Sequence, residues 1–117
     1  MVETLTRTTA KELKQAMTSD RPPIVINTLG PESYRSRRIP GSINVPTDEI
    51  ETAKDLVPAK DEPIVVYCAN EDCDASPKAA QKLESMGYTN VKDFEAGYAG
   101  WRQAGFELVG TEAGTDT

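Results

Sequence analysis

The chain has 117 residues, a length that fits one domain able to bury a single core without disulfide or metal staples. Its net charge of -6 at pH 7 repels phosphate backbones and anionic bilayers, so neither nucleic acid nor membrane is an expected partner. Two cysteines, no long apolar run and a start, Met1-Val2-Glu3-Thr4, with neither basic nor apolar character predict a soluble protein of the reducing cytoplasm. The thiols are then expected to be chemical and not structural.

In chain order, Leu5-Thr6-Arg7 reads as a short strand. Thr9 with Glu12 three residues on makes a capping box ahead of Leu13, Ala16 and Met17, a first helix ending near Ser19-Asp20. After the turn Arg21-Pro22-Pro23, the apolar run Ile24-Val25-Ile26-Asn27 predicts a buried strand that begins once the prolines, with no N–H to give, are past. Pro31 opens a short helix through Tyr34 to about Arg37, and Ile39 to Pro46 reads as a turn followed by a brief strand. Thr47 is expected to cap a short acidic helix with Asp48 and Glu49 in its first turn, where the macrodipole favours them.

The stretch from Ile64 to Pro77 carries the chemistry. Ile64-Val65-Val66-Tyr67 is uncharged and β-branched or aromatic, as suits a parallel strand buried on both faces. It ends at Cys68, a polar loop follows, and Ser76 with Pro77 reads as the cap and first residue of a helix whose Ala79, Ala80, Leu83 and Met86 recur at helical spacing up to Gly87. Cys68 is thus placed at the carboxyl end of a strand facing the amino end of a helix, where unpaired N–H groups favour an anion and would lower the thiol pKa. The carboxyl end of the earlier strand, Asn27 to Leu29, should lie beside it. Val91 to Phe94 reads as a fifth strand, flanked by the acids Asp93 and Glu95, which are expected to be solvated. Gly97 to Trp101 is a tight turn into a last short helix, with Phe94, Tyr98 and Trp101 as packing residues; Tyr34 and Tyr67 are read the same way. Residues 1–109 form the expected domain and 110–117 a flexible tail.

Alternating strands and helices predict an α/β fold with a central parallel five-stranded sheet flanked by helices on both faces. Several patterns in this order resemble the single-domain rhodanese-like sulfurtransferase family. They are Ile39-Pro40-Gly41-Ser42-Ile43-Asn44-Val45-Pro46, Val66-Tyr67-Cys68, the helix and strand carrying Ser76, Lys78-Ala79-Ala80, Leu83, Gly87-Tyr88 and Asn90-Val91, and Glu95-Ala96-Gly97 with Trp101. The resemblance covers about Leu5 to Leu108 and implies sulfur transfer: Cys68 takes the outer sulfur of thiosulfate or a persulfide, becomes a persulfide, and passes the sulfur to cyanide or a thiol. A sulfur-relay protein could supply or receive it, and no cofactor or metal is implied. The backbone of Ala69, Asn70, Glu71, Asp72, Cys73 and Asp74 would form the loop cradle for the sulfur anion.

The chain departs from the family pattern in this loop. It is about two residues longer than is typical, lacks the usual glycine and arginine, and holds Glu71, Asp72 and Asp74, which would raise the Cys68 pKa and repel a dianionic donor if they faced it. Asn27 and Leu29 stand where the family often has aspartate and arginine. With no histidine in the chain, no imidazole can activate Cys68; Arg38, in place of a family histidine and within the basic group Arg35, Arg37 and Arg38, is the candidate donor contact. Cys73, in the same loop, is a candidate resolving thiol, which makes a Cys68/Cys73 redox enzyme or sensor one alternative and a non-catalytic interaction module another. Two cysteines without histidine do not complete a tetrahedral zinc site.

Overall fold

The computed structural model describes residues 6–70 and 72–112. Five strands form one all-parallel sheet: β1 (Thr6–Arg7), β2 (Ile24–Asn27), β3 (Ile43–Asn44), β4 (Ile64–Tyr67) and β5 (Val91–Phe94), in the spatial order β1-β5-β4-β2-β3. Between them run α1 (Ala10–Met17), α2 (Pro31–Ser36), a 3₁₀ segment (Thr47–Thr52) continuing into α3 (Ala53–Leu56), α4 (Ala75–Ser85) and, last, α5 (Gly97–Gln103). The predicted capping box forms: Thr9 Oγ1 accepts from the Glu12 N–H at 3.2 Å and Glu12 Oε1 accepts from the Thr9 N–H at 3.1 Å. The strand β2 begins directly after Pro23, as the missing proline donors require. Leu5, assigned to the first strand from sequence, lies outside the described residues.

Each face of the sheet has its own core. Ile26, Ile64, Val66 and Val91 pack with Val45, Ile50, Ala53, Val57, Tyr88 and the α4 residues Ala79, Ala80 and Leu83. On the opposite face Val25, Val65, Tyr67 and Phe94 pack with Leu13, Ile39 and Trp101. Successive β4 residues therefore enter different cores, and all four are buried, which accounts for a run with no polar position. Phe94 and Trp101 meet edge to face at 6.4 Å, and the Trp101 N–H donates to the Glu107 carbonyl, so these aromatics are core residues as the spacing suggests.

Tyr67 also has a polar use. Its hydroxyl accepts from the Ile39 N–H at 3.0 Å and from Asn27 Nδ2 at 3.1 Å, and lies 2.8 Å from Ser42 Oγ, pinning the turn before β3 to the central strand. The cap expected at Thr47 is absent. Thr47 Oγ1 donates to the Ala75 carbonyl at 2.7 Å instead of capping its own helix, tying the 3₁₀ segment to the start of α4. Residues 110–112, assigned to a free tail, are bound to α2: the Thr111 and Glu112 N–H groups donate to the Arg35 and Ser36 carbonyls, and Val109 bridges Arg38. Residues 113–117 of that tail lie outside the described residues.

No helix among the described residues is long and apolar enough to cross a membrane. Because Leu83 is fully buried between α4 and the sheet, Leu83→Ala is expected to cost about 2–5 kcal/mol. Leu56→Ala, at a position 55% exposed, should change stability by less than about 0.5 kcal/mol. Urea denaturation of the two variants checks both; equal losses would mean that α4 packs differently.

Candidate active site

The chain leaves β4 at Tyr67, so Cys68 comes one position past the last ladder residue, at the carboxyl end of the sheet. Alternation along the strand sends its side chain to the α4 side, and the thiol is 1% exposed. The neighbouring β2 end lies beside it as expected: Thr28 donates both its N–H and its hydroxyl to the Tyr67 carbonyl, at 3.0 and 3.1 Å.

The polypeptide after Cys68 is held from the other side by α5. The N–H groups of Tyr98 and Ala99 donate to the carbonyls of Cys68 and Ala69, each at 3.0 Å. Gly97 makes this approach possible. Its φ is +67°, and a Cβ there would stand 2.5 Å from the Cys68 carbonyl oxygen and from the Ala69 carbonyl carbon. In a trans peptide the next N–H points opposite to the carbonyl, so the N–H groups of Ala69 and Asn70 are turned away from α5. Asn70 shapes the rest of the loop: its Oδ1 accepts from the Asp72 N–H at 3.0 Å and its carbonyl from the Cys73 N–H at 3.2 Å.

Around the sulfur, the Cys73 carbonyl oxygen and Ser76 Oγ each lie 3.5 Å from Cys68 Sγ. Ser76 is not the helix cap predicted from sequence. Asp74 holds that position, without a side-chain cap bond, and Ser76 lies inside the first turn of α4. Its hydroxyl instead donates to Asp93 Oδ1 at 2.7 Å. Asp93 is not solvated either: it is 1% exposed, on the same face of β5 as the core residue Val91. Burial raises its carboxyl above the ordinary carboxylate value, against the hydrogen bond from Ser76; Glu95 adds to the rise and Arg7 opposes it.

The thiol itself departs from expectation in the same direction. Burial, and then the Cys73 thiol beside it, push Cys68 up to about 11, whereas the Ser76 hydroxyl and N–H pull it down. Desolvation of a thiolate outweighs the helix start in this closed arrangement, so the resting group is a neutral thiol. Both cysteines are free, Cys68 buried and Cys73 half-buried. Asp72 and Asp74 do not cause the rise: both are exposed, and Asp74 pairs with Lys78 at 3.2 Å. Glu71 lies outside the described residues.

Arg38 donates to the Tyr34 and Arg35 carbonyls, and its guanidinium lies over the Tyr34 ring at 4.9 Å, at the end of α2. Arg37 pairs with Glu112 at 3.9 Å and, with Tyr98, Arg102 and Gln103, lines a shallow cleft of about 300 Å³ beside α5. A larger cleft of about 510 Å³ lies around β1, α1 and the amino ends of β4 and β5, at the far end of the sheet from Cys68. No cluster of three metal-ligating side chains occurs among the described residues. The Ser76–Asp93 pair escaped the sequence reading, although a signal existed. Ser76 falls on the same helical stripe as Ala79, Ala80 and Leu83, and Asp93 on the same strand face as Val91.

A parallel sheet ending in a cysteine that is covered by a loop and the start of a helix is matched by a known family. The Rhodanese-like domain pattern fits residues 9–104. This chain belongs to the rhodanese-like domain family. It is 26% identical to the human thiosulfate:glutathione sulfurtransferase, over 77% of this chain and 87% of that one. It is 35% identical, over 66% of its length, to the Mycobacterium tuberculosis HTH-type transcriptional regulator Rv0324, of which the match spans only 33%. Among solved structures, the BH2092 protein of Bacillus halodurans superposes with a TM-score of 0.84 at 25% identity, covering 96% of this chain and 82% of that one. These likenesses establish a rhodanese-like domain with sulfurtransferase relatives.

Two consequences can be measured. Gly97→Ala forces a left-handed residue with a Cβ against the Cys68 and Ala69 carbonyls and is expected to cost more than about 2 kcal/mol. Urea unfolding would show it, and Cys68 of this rhodanese-like domain should then alkylate faster as the loop loosens; an unchanged midpoint would contradict the clamp. Cys73→Ala removes a group that raises Cys68, so the pH at which Cys68 becomes reactive to iodoacetamide should fall. A profile that stays in place or rises would contradict the coupling.

Proposed function

We propose that this rhodanese-like domain is a sulfurtransferase that carries a sulfane sulfur on Cys68. The observation that supports this reading most is the position of Cys68: a buried thiol at the carboxyl end of the central strand, under the loop that leads into α4, in a domain of this family. In the first half-reaction the Cys68 thiolate attacks the outer sulfur of the donor. With thiosulfate, the new Cys68–sulfur bond forms as the donor sulfur–sulfur bond breaks, and sulfite departs with the electron pair. A persulfide donor releases its thiolate in the same way. In the second, cyanide or an acceptor thiolate attacks the outer sulfur and Cys68 leaves as thiolate, so no external oxidant or reductant is needed.

A site with a thiol at 1% exposure admits a donor only when the Cys68–Asp74 loop shifts. The N–H groups of Ala69 and Asn70, turned away from α5, are the candidates for holding the persulfide anion, whereas those of Asp72 and Cys73, expected from sequence to join the cradle, donate to Asn70. Arg38, engaged at the end of α2, would reach a donor only by leaving those carbonyls, which favours a persulfide over dianionic thiosulfate as donor. The acceptor would be a small thiol, cyanide or a sulfur-relay protein, in the cytoplasm.

A second reading rests on the proximity of the two sulfur residues: the Cys73 carbonyl lies 3.5 Å from Cys68 Sγ, and the Cys73 side chain is among the causes that raise Cys68. In that reading the Cys73 thiolate attacks the Cys68 sulfur of a sulfenic acid or persulfide; the internal disulfide forms as the bond to the outer atom breaks, and hydroxide or hydrosulfide departs with the electron pair.

Intact mass after separate exposure of the reduced protein to thiosulfate, a small persulfide and dilute peroxide distinguishes them. Sulfur transfer predicts a gain of one sulfur atom that disappears in Cys68→Ser and survives in Cys73→Ala. The redox pair predicts loss of two hydrogens, dependent on both cysteines. No mass change under any condition would overturn the sulfurtransferase reading and leave an interaction module, and persistence of transfer in Cys68→Ser would overturn Cys68 as the sulfur carrier.

A further inference from the structure

Cys68, Ser76 and Asp93 come from three different elements and form a continuous hydrogen-bonded line inside the protein. Cys68 ends β4, Ser76 lies in the first turn of α4, and Asp93 is in β5, which pairs with β4 in parallel. The links are 3.5 Å from Sγ to Ser76 Oγ and 2.7 Å from Ser76 Oγ to Asp93 Oδ1. All three residues are 1% exposed.

The direction of the line follows from counting protons. A serine hydroxyl has one hydrogen, and the short bond to a carboxylate takes it. Ser76 Oγ therefore turns lone pairs to the sulfur and can accept the thiol hydrogen, for which the Cys73 carbonyl at the same 3.5 Å is the competing acceptor, but cannot at the same time donate to a thiolate. Ionising Cys68 in place requires the line to reverse. The hydrogen on Sγ passes to Ser76 Oγ while the Ser76 hydrogen passes to Asp93 Oδ1, leaving a thiolate, a serine hydroxyl aimed at it, and a neutral carboxylic acid. No proton enters or leaves, and no charge is created in the interior.

We propose that Ser76 and Asp93 form a proton relay that activates Cys68, with Ser76 in contact with the reacting sulfur and Asp93 as a positioning residue acting through it. The inference rests on Cys68 being the reactive group of the proposed sulfurtransferase. It supplies what a chain without histidine otherwise lacks at this cysteine, a base that can take the thiol hydrogen without water. A buried carboxyl whose proton affinity is raised by desolvation is better suited to that task than an exposed one. The charged and titratable neighbours are few. Arg7 of β1 and Glu95, which pair with each other at 3.2 Å, act on Asp93, and Cys73 acts on Cys68. When the acceptor removes the outer sulfur, the departing Cys68 thiolate recovers its hydrogen by the same path in reverse.

The test is the pH dependence of iodoacetamide alkylation of Cys68, measured in a Cys73→Ala background so that only one thiol reacts. Alkylation does not require sulfur transfer, so the relay is judged even where the mass experiment finds no persulfide. With the relay intact, reactivity at neutral pH is supported by ionised Asp93 and falls in acid as Asp93 takes up a proton. Asp93→Asn keeps the shape and an acceptor for the Ser76 hydroxyl but cannot store a proton. It should lower the rate at neutral pH on the order of 100-fold and move the reactive limb toward the thiol's own high pKa. Ser76→Ala should do the same, and Ser76→Thr should restore the rate, which a role in packing alone would not predict. If Asp93 acted only as a nearby negative charge, its neutralisation would ease thiolate formation and shift the limb toward acid. That shift, or an unmoved profile in both Asp93→Asn and Ser76→Ala, would overturn the relay.

Discussion

The site depends on one constraint, the burial of β4 on both faces. Ile64 and Val66 enter one core, Val65 and Tyr67 the other, and parallel ladders to β2 and β5 leave the strand no edge. A strand fixed in this way cannot slide or twist without disturbing both cores, so the position where it ends is set to within a residue. Cys68 is that position. The strands beside it bring Thr28 and Asp93 to the same end of the sheet, and the helix that follows brings Ser76 back over the sulfur.

The loop is held between two helices that act differently. α5 binds backbone: its first N–H groups take the carbonyls of Cys68 and Ala69, and only a glycine at 97 allows the close approach. α4 binds side chain: Ser76 faces the sulfur, and Thr47 from the 3₁₀ segment fastens the helix start through the Ala75 carbonyl. The result is a closed resting state with the thiol buried. In such a place desolvation dominates the ionisation of a thiol, and a helix start alone does not offset it, which is why Cys68 rests neutral. An internal carboxylate in hydrogen-bond sequence with the thiol is one way to keep a buried nucleophile inert at rest and still able to ionise.

Much of the architecture was legible in the chain because its signals are local. The capping box at Thr9 and Glu12, the prolines ahead of β2, the uncharged run of β4 and the apolar spacing of α4 each involve residues a few positions apart, and each formed as read. Ser76 and Thr47 were misassigned for one shared reason. A hydroxyl next to a helix start has a local partner available in principle, and local reasoning gives it that partner, yet here Asp93 and the Ala75 carbonyl, distant in sequence, compete successfully. Residues 110–112 docked on α2 likewise because their partners lie far back in the chain.

The sequence by itself determined the class of fold, the order of its elements and the placement of a cysteine at the carboxyl end of the central strand, since hydrophobic period and turn chemistry are written in neighbouring residues. Only the tertiary structure decided the state of that cysteine. The ionisation of Cys68 depends on how much water the packed loop excludes, on the Cys73 thiol folded against it, and on Ser76 and an aspartate from another strand. Solvation and hydrogen-bond partnership are properties of the assembled environment, and no local pattern encodes them.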